Sequence, residues 1–318
     1  MQIKVEKLGQ IFNEKTPLEF HSLNNVNVEI NQGEYIGIIG QTGSGKTTFV
    51  QHLNALLFPK EGQISWFFDN DIEQIKAQAN SKKSFFNFAN KNKQIQEHEH
   101  ILIDYKTKPR KVKKVKLLRK KIGVVFQFAE YQLFKNTIKE DIAFGPMIFG
   151  VPKEEAFERA REYLKIVGMD ESYLERSPFE LSGGQKRRVA IAGILAMEPD
   201  ILIVDEPTAG LDPVGVREIL DIFSKMHDRG TTIINVSHDL DNILKHSKRV
   251  LVFQNGTIVK DGDTYDVLRD SKFLLNNNLQ PPKLFQFIDK IEANGINVPK
   301  VRSLDELADF LNSRKEQK

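Results

Sequence analysis

Apolar and polar residues alternate along the first forty residues of the chain, with the period of two that is typical of β-strands. One alternating run covers residues 3–8 and a second covers residues 26–30. The apolar stretch 36–39 predicts a short buried strand that leads directly into a glycine-rich loop. Beyond residue 47 the apolar residues are spaced as in a helix, at positions 49, 50, 53, 56 and 57.

The rest of the chain continues as a series of strands and helices. Strands are predicted at 63–66, 101–104, 122–127, 201–204 and 232–236. Residues 128–180 are predicted to be helical, most clearly at 153–167, and another helical stripe covers 216–226. We therefore expect one large α/β domain with a smaller appendage.

Two segments depart from this order. Residues 67–98 are rich in Asn, Lys, Gln and Phe and carry no chemical motif. We interpret them as an insertion between two strands, an exposed hairpin or helix, with a face that docks a partner as the alternative.

Asn276–Asn278 and Pro281–Pro282 predict a linker after a main domain of residues 1–275. Residues 276–318 are then a small helical tail for interaction or dimerisation.

Residues 40–47 read Gly-Gln-Thr-Gly-Ser-Gly-Lys-Thr and match the complete phosphate-loop pattern. The glycines permit sharp turns that aim backbone N–H groups at a phosphate chain, and Lys46 adds a positive charge. The Thr47 hydroxyl suits Mg²⁺, a hard ion that prefers oxygen ligands. The candidate nucleotide-binding residues here are Gly40, Gln41, Thr42, Gly43, Ser44, Gly45, Lys46, Thr47 and Thr48.

The apolar strand at 201–204 runs into two carboxylates, Asp205 and Glu206. This position is the carboxyl edge of a parallel sheet, where ligands bind in such folds. Neighbouring residues on a strand point to opposite sides, so we do not expect the two carboxylates to share one role.

The pentapeptide Leu-Ser-Gly-Gly-Gln at residues 181–185 lies between the phosphate loop and these carboxylates. The order of the three motifs resembles the nucleotide-binding subunit of ABC transporters. The resemblance implies an α/β fold, a P-loop ABC-type nucleotide-binding domain with a RecA-like core, an antiparallel β subdomain and a helical signature subdomain at about 128–180. A small helical extension follows at the C-terminal end.

The same resemblance implies roles for single residues. Asp205 would hold Mg²⁺ through water, Glu206 would orient or deprotonate the attacking water, and His238 would contact the γ-phosphate of ATP. Gln127 would touch Mg²⁺ and the water site, and Phe12 would stack on adenine, with a place in the core as its alternative. The candidate catalytic residues are therefore Glu206 and His238, and the candidate metal ligands are Thr47, Gln127 and Asp205.

The pentapeptide also implies a second subunit. Its small residues expose backbone N–H groups at a helix start, which is an anion-binding arrangement, yet the chain already has one phosphate loop. By resemblance, Ser182, Gly183, Gly184 and Gln185 complete the site of a facing copy, and Asp212 lies in a loop that crosses the dimer seam. Two ATP molecules would then hold the subunits together.

Several segments resemble one subgroup, the A component of energy-coupling-factor transporters: 126–134, 141–146, 177–180 and 205–213, with 16–18 resembling the second A type. This implies ATP-driven uptake of vitamins or other micronutrients at the cytoplasmic side of the cell membrane. The implied partners are a transmembrane T component, a substrate-binding S component and a second, often non-identical A subunit. The alternatives are the ATPase of another importer, such as a cobalt or nickel system, and a soluble ABC ATPase of translation or DNA repair.

Composition adds limits to this interpretation. The 318 residues are 40% hydrophobic and 28% charged and include no cysteine, which fits a packed protein without disulfides. No apolar run approaches the roughly 20 residues that a bilayer-spanning helix needs. The net charge of +3 gives no reason to expect a nucleic-acid partner. The basic run at 106–121 is interpreted as a solvated strand and loop edge beside a membrane-facing surface, with anionic lipid or nucleic acid as alternatives.

Overall fold

The strands of the protein form two sheets in the computed structural model, which describes residues 1–69, 98–107 and 114–315. The first sheet is antiparallel and has the order β2-β1-β4-β5. Its strands are β1 (Gln2–Phe12), β2 (Phe20–Ile30), β4 (Glu61–Asp69) and β5 (His98–Asp104). The predicted insertion at 67–98 falls mostly outside the described residues, as does part of the basic run at 106–121. The end of that run, Val115–Lys121, is an α-helix and not the predicted strand and loop.

The second sheet has the order β10-β9-β3-β8-β7-β6, and only β10 runs antiparallel to its neighbour. Its strands are β3 (Tyr35–Gly40), β6 (Ile122–Val125), β7 (Ile201–Asp205), β8 (Thr232–Val236), β9 (Arg249–Gln254) and β10 (Thr257–Asp263). The α/β architecture with a separate antiparallel sheet is thus confirmed.

Eleven α-helices surround the sheets in the part of the chain that the structure describes. They are α1 (Lys46–Leu53), α2 (Val115–Lys121), α3 (Ile138–Ile148), α4 (Lys153–Ile166), α5 (Gly183–Leu195), α6 (Pro213–Asp228), α7 (Leu240–His246), α8 (Thr264–Arg269), α9 (Ser271–Asn276), α10 (Lys283–Ala293) and α11 (Leu304–Lys315). None of these described helices is long and apolar enough to span a bilayer.

Strand β7 shows why the second sheet is buried on both faces. Ile201 and Ile203 pack in a core shared with the antiparallel sheet and α1. Leu202 and Val204 pack in a core shared with α3 to α6. A parallel strand covered on both sides carries a continuous apolar run, as this one does. The carboxyl ends of β3, β8, β7 and β6 therefore meet at one edge, because these neighbouring strands run in the same direction.

Two predicted boundaries are wrong. Helical spacing extended to residue 57, but α1 ends at Leu53, and Ala55 has a left-handed φ of 54° that no helix continues through. The strand predicted at 122–127 ends at Val125, so Gln127 lies in the following turn.

The segment predicted as a linker is packed against the protein. Leu279, Pro281 and Pro282 are buried. Beyond them, the buried side chain of Phe285 on α10 stacks edge-on against Tyr265 of α8, with ring centroids 5.0 Å apart. Leu279, Tyr265 and Phe285 belong to a third core that also contains residues of α7 and β9. The boundary near residue 275 stays a prediction, but α10 rests on the same core as the strands beside the phosphate loop.

This packing predicts a loss of stability in the whole protein when α10 loses its central side chain. We expect Phe285→Ala to lower the free energy of unfolding by about 3–5 kcal/mol, the usual cost of emptying a buried phenylalanine site. Phe287, on the same helix, is 49% exposed, and Phe287→Ala should cost about 0.5 kcal/mol or less. Urea denaturation followed by circular dichroism measures both. Equal losses in the two variants would contradict the packing described here.

Candidate nucleotide-binding site

The backbone of the phosphate loop takes a path that only glycine allows. Gly40, Gly43 and Gly45 have φ of 150°, 79° and 101°. A Cβ at Gly40 would lie 2.3 Å from the carbonyl oxygen of Phe253, and one at Gly45 would lie 2.6 Å from that of Ser22. The loop is therefore held close to β2 and β9, and it leads directly into the N-terminus of α1.

Lys46 begins α1 and folds back over the loop. Its Nζ donates hydrogen bonds to the carbonyl oxygens of Gly40, at 2.7 Å, and Gln41, at 2.8 Å. Burial lowers the pKa of the Lys46 ammonium, and the nearby carboxylates of Glu206 and Asp205 act in the opposite direction. The ammonium is thus positioned at the mouth of the loop, where a phosphate chain would meet it.

The Ser44 hydroxyl is buried inside the loop and has no hydrogen-bond partner among the described residues. A buried polar group without a partner indicates a place that a water or ligand oxygen completes. Beside it, the Thr48 hydroxyl is 2.7 Å from that of Ser22 and so links α1 to β2. Gln41 and Thr42 are exposed at the tip of the loop.

Thr47 and Asp205 face each other across the site. Thr47 Oγ1 donates a hydrogen bond of 3.1 Å to Asp205 Oδ2. Burial raises the pKa of the Asp205 carboxyl, the Thr47 hydrogen bond lowers it, and the charge of Glu206 raises it. This pair of oxygen donors fits Mg²⁺, which keeps several waters and takes few protein ligands. Among the described residues, no group of three or more His, Cys, Asp or Glu could hold a metal unaided.

Glu206 and His238 are brought together although 32 residues separate them in the sequence. His238 Nδ1 lies 2.8 Å from Glu206 Oε1, and the histidine side chain is 77% exposed whereas the glutamate is 17% exposed. The Glu206 backbone N–H donates to the carbonyl of Val236, and its φ of 50° turns the chain sharply away from β7. The backbone at Glu206 is therefore fixed in position, and one side of its carboxylate faces the open edge of the sheet.

Gln127 and Phe12 lie at the margins of this edge. Gln127 is exposed, two residues beyond β6, which is the strand next to β7. Phe12 is half-buried and pairs with Phe20 across the β1–β2 hairpin. Phe20 lies two residues before Ser22, which contacts α1. The roles of Gln127 towards Mg²⁺ and of Phe12 towards adenine stay predictions.

The signature pentapeptide forms a separate face. Ser182 caps α5: its Oγ accepts from the Gln185 N–H at 3.3 Å, and the Gln185 side chain accepts from the Ser182 N–H at 3.0 Å. Gly183 is exposed, and a Cβ at either Gly183 or Gly184 would meet no atom within 4 Å. In the described part of the chain, no hydrogen bond joins this face to the phosphate loop.

Asp212 lies beside the signature. It caps α6 by accepting a hydrogen bond of 2.9 Å from the Gly215 N–H, and it is exposed. Asp212 and Gly184 line the same open cleft of about 300 Å³ between α5 and α6. The two loops predicted to meet another subunit thus lie on one surface, as expected of halves of one interface.

Sequence reasoning missed Arg187, which joins three parts of the site. Its guanidinium contacts Glu130, Pro207 and Ala209, and the residue is 3% exposed. The sequence contained a signal, because Arg187 precedes the buried Ile191 by four residues and so lies on the buried face of α5.

The raised pKa of Asp205 predicts a pH-dependent gain in stability for Asp205→Asn. Because the folded protein favours the protonated carboxyl, ionisation of Asp205 opposes folding at neutral pH. Below the value of about 3.9 for an unfolded aspartate, the carboxyl is protonated in both states and its contribution vanishes. In urea denaturation without nucleotide, the variant should exceed the native protein in free energy of unfolding at pH 7, by a margin that shrinks towards pH 4.

The control is Asp309→Asn, which removes an exposed carboxyl on α11. A gain for Asp205→Asn that is absent at pH 7, or that grows as the pH falls, would contradict the assigned direction.

Comparison with known proteins shows the family of the chain. The ABC transporter family matches residues 23–102 and 88–209. The energy-coupling factor transporter ATP-binding protein EcfA2 of Mycoplasmopsis synoviae (strain 53) is 55% identical over 320 residues, which cover 100% of this chain and 97% of the relative. The protein of the same description from Streptococcus pneumoniae serotype 2 is 41% identical over 313 residues, covering 98% of this chain and all of that protein. Residues 67–98 lie within the range aligned to the first relative.

Solved structures give the same result. The structure of cbiO1 from Clostridium perfringens, described as part of the ABC transporter complex cbiONQ, has a TM-score of 0.65 and 32% identity, and covers 90% of this chain. The cassette MJ0796, solved as a dimer in a post-hydrolysis state with ADP and Pi, has a TM-score of 0.62 and 26% identity over 82% of this chain. The match to this chain covers 98% of the residues in each of these two structures. The chain belongs to the ABC transporter family and, within it, to the ATP-binding proteins of energy-coupling factor transporters.

Proposed function

We propose that this protein is the ATP-hydrolysing subunit of an energy-coupling-factor importer, and that it powers uptake of vitamins or other micronutrients through a T component and S components. One observation carries the proposal. The chain holds a complete phosphate site with a paired Glu206 and His238, and also a signature face that is separate from that site. Full-length similarity to energy-coupling factor ATP-binding proteins supports the assignment to this importer class.

The proposed chemistry rests on position and charge. The loop N–H groups and the Lys46 ammonium bind the phosphates of ATP, and the Glu206 carboxylate orients the attacking water or takes its proton. His238 contacts the γ-phosphate and holds the Glu206 carboxylate in place through the 2.8 Å contact. Thr47, Asp205 and Gln127 would hold Mg²⁺, which neutralises phosphate charge when bound.

A second ATPase subunit completes each site. The exposed Gly183 and the cleft shared by Gly184 and Asp212 present a surface on which a facing phosphate loop fits. The related cassette MJ0796 was solved as a dimer bound to ADP and Pi, which supports a paired arrangement. By the resemblance to the second A type, the partner is the other A subunit, so the pair is a heterodimer.

The T component docks on the helical side of the protein. Tyr131, four residues after Gln127, is 84% exposed, and Phe134 is also exposed. Exposed aromatic residues in one patch indicate a partner surface. A groove of about 630 Å³ adjoins them between α3 and α4. It is lined by Phe134, Lys135, Asn136, Glu140, Met147, Lys153 and Phe157. Docking there would place the protein at the cytoplasmic face of the cell membrane.

The alternatives have weaker support. The identity to cbiO1, 32%, is lower than the 41–55% identity to the energy-coupling factor proteins, which favours the energy-coupling-factor class over the ATPase of another importer. A soluble ATPase of translation or DNA repair would need no membrane partner. This class then names no protein that would cover the exposed aromatic patch around Tyr131.

We expect Glu206→Gln to bind ATP but to hydrolyse it about 10²–10⁴-fold more slowly, because the amide cannot take a proton from water. Nucleotide binding is measured by equilibrium titration and turnover by phosphate release from the assembled complex. Glu162→Gln, an exposed change on α4, is the control and should turn over normally. Turnover of Glu206→Gln at the control rate would refute the catalytic role of Glu206.

Co-purification from detergent-solubilised membranes tests the partner assignment. We expect the native protein to recover a second ATPase, a T component and a small S protein, and Tyr131→Ala to recover less of both membrane proteins. Tyr105→Ala, which alters an exposed tyrosine elsewhere, should recover the native amounts. Recovery of ribosomes or DNA without an integral membrane protein would instead favour the soluble class.

A further inference from the structure

Arg187 carries a buried charge two residues beyond the signature pentapeptide. One edge of its guanidinium meets the carboxylate of Glu130: Nε donates to Oε2 at 2.9 Å, and Nη2 donates to Oε1 at 2.6 Å. Two parallel hydrogen bonds of this kind fix the orientation of both groups. The Arg187 and Glu130 side chains are 4% and 13% exposed, so solvent competes little for either partner.

The other edge of the same guanidinium holds the loop that follows the catalytic glutamate. Nη1 donates to the carbonyl oxygen of Pro207 at 3.2 Å and to that of Ala209 at 2.7 Å. Pro207 comes directly after Glu206, and the loop continues to Asp212 on the signature face. Four hydrogen bonds from one planar group thus join helix α5 to two separate loops.

The Glu130 side of this arrangement leads to the aromatic surface. Glu130 lies in a short 3₁₀ turn, Ala129–Gln132, three residues after Gln127 and directly before Tyr131. The guanidinium carbon is also 5.7 Å from the centre of the Phe128 ring. Because the guanidinium is planar and binds both groups, a displacement of the Glu130 carboxylate would be passed on to the carbonyls beyond Glu206.

Stability alone does not account for the pair. Apolar side chains of similar volume commonly give equal or greater stability than a buried ion pair. The pair fixes the position of the turn that contains Glu130 relative to the loop at Pro207–Ala209. In the described part of the chain, no other hydrogen bond joins these two segments.

We propose that Arg187 is a positioning residue that couples the turn after Gln127 to the loop after Glu206, so that movement at the aromatic surface changes the placement of the catalytic carboxylate. The link between the loops stands on the contacts above. Its use by a membrane partner rests on the proposed function.

Three variants separate this role from simple stabilisation. Arg187→Lys keeps the charge but lacks the planar fork that serves both loops. The double variant Arg187→Met with Glu130→Met replaces both buried charges with apolar side chains of similar size. The control is Arg159→Lys on α4, because Arg159 also contacts two carboxylates, those of Glu155 and Glu198, and a carbonyl, that of Ala196, but neither of the two loops that Arg187 joins.

The first measurement combines kinetics with thermal unfolding in the assembled complex. For Arg187→Lys and the double variant, we expect kcat for ATP to fall by up to about 100-fold with little change in KM, as for a misplacement of a catalytic group by about 1 Å. The double variant should stay folded, with a melting temperature lowered only by the two carbonyl groups that lose their donor, and Arg159→Lys should keep the native kcat. Recovery of native kcat in the double variant would show that only packing matters and would overturn the proposal.

The second measurement uses the isolated chain and needs no membrane partner. Because the chain has no cysteine, spin labels can be attached at Tyr131→Cys and Val214→Cys, which replace exposed residues on the two sides of the link. We expect a narrow distance distribution in the native background, a broad one with Arg187→Lys, and a narrow one with Arg159→Lys. Identical distributions in all three would refute the link, even if the importer assembles as proposed. A broadened distribution supports it, even if no membrane protein co-purifies.

Discussion

The hydrogen bond from the Glu206 N–H to the Val236 carbonyl, 2.9 Å long, fixes the geometry on which the rest of the site depends. It lies where Asp205 pairs with Val236, and Ser237 makes the matching bond to Ile38 of β3 at 3.2 Å. Three adjacent parallel strands are thereby locked together at their carboxyl ends. The phosphate loop, the two carboxylates and His238 extend from these ends, so their spacing follows from the backbone of the sheet rather than from flexible side chains.

The left-handed turn at Glu206 divides the candidate site residues between two surfaces of the protein. The chain leaves the sheet edge there and reaches Asp212, which lies beside the signature pentapeptide and not beside the phosphate loop. Under the proposed function, a nucleotide bound at the loop is enclosed by the signature of another subunit. Shifting such a pair from about 1:99 to 99:1 closed requires about 5.5 kcal/mol of differential binding, which two nucleotides could share.

The sequence predicted those parts of the structure that depend on local chemistry. The phosphate loop, the strand ending at Asp205 and the helix start at Ser182 are specified by residues within a few positions of each other. The end of α1 was mispredicted, because Leu56 and Leu57 continue the helical spacing while Ala55 has a left-handed backbone. Pro281 and Pro282 indicated a linker, since composition cannot show that a core elsewhere in the chain buries them. Arg187 was overlooked because its partner Glu130 lies 57 residues away.

The dependence of ATP hydrolysis on subunit concentration tests most directly the claim that the site is shared between two subunits. Turnover per chain should be measured during dilution, alone and with the second ATPase subunit, while analytical ultracentrifugation reports the fraction of dimer. We expect turnover to follow the dimer fraction and to approach zero when the chain is monomeric. Undiminished turnover by a strictly monomeric chain would contradict this expectation.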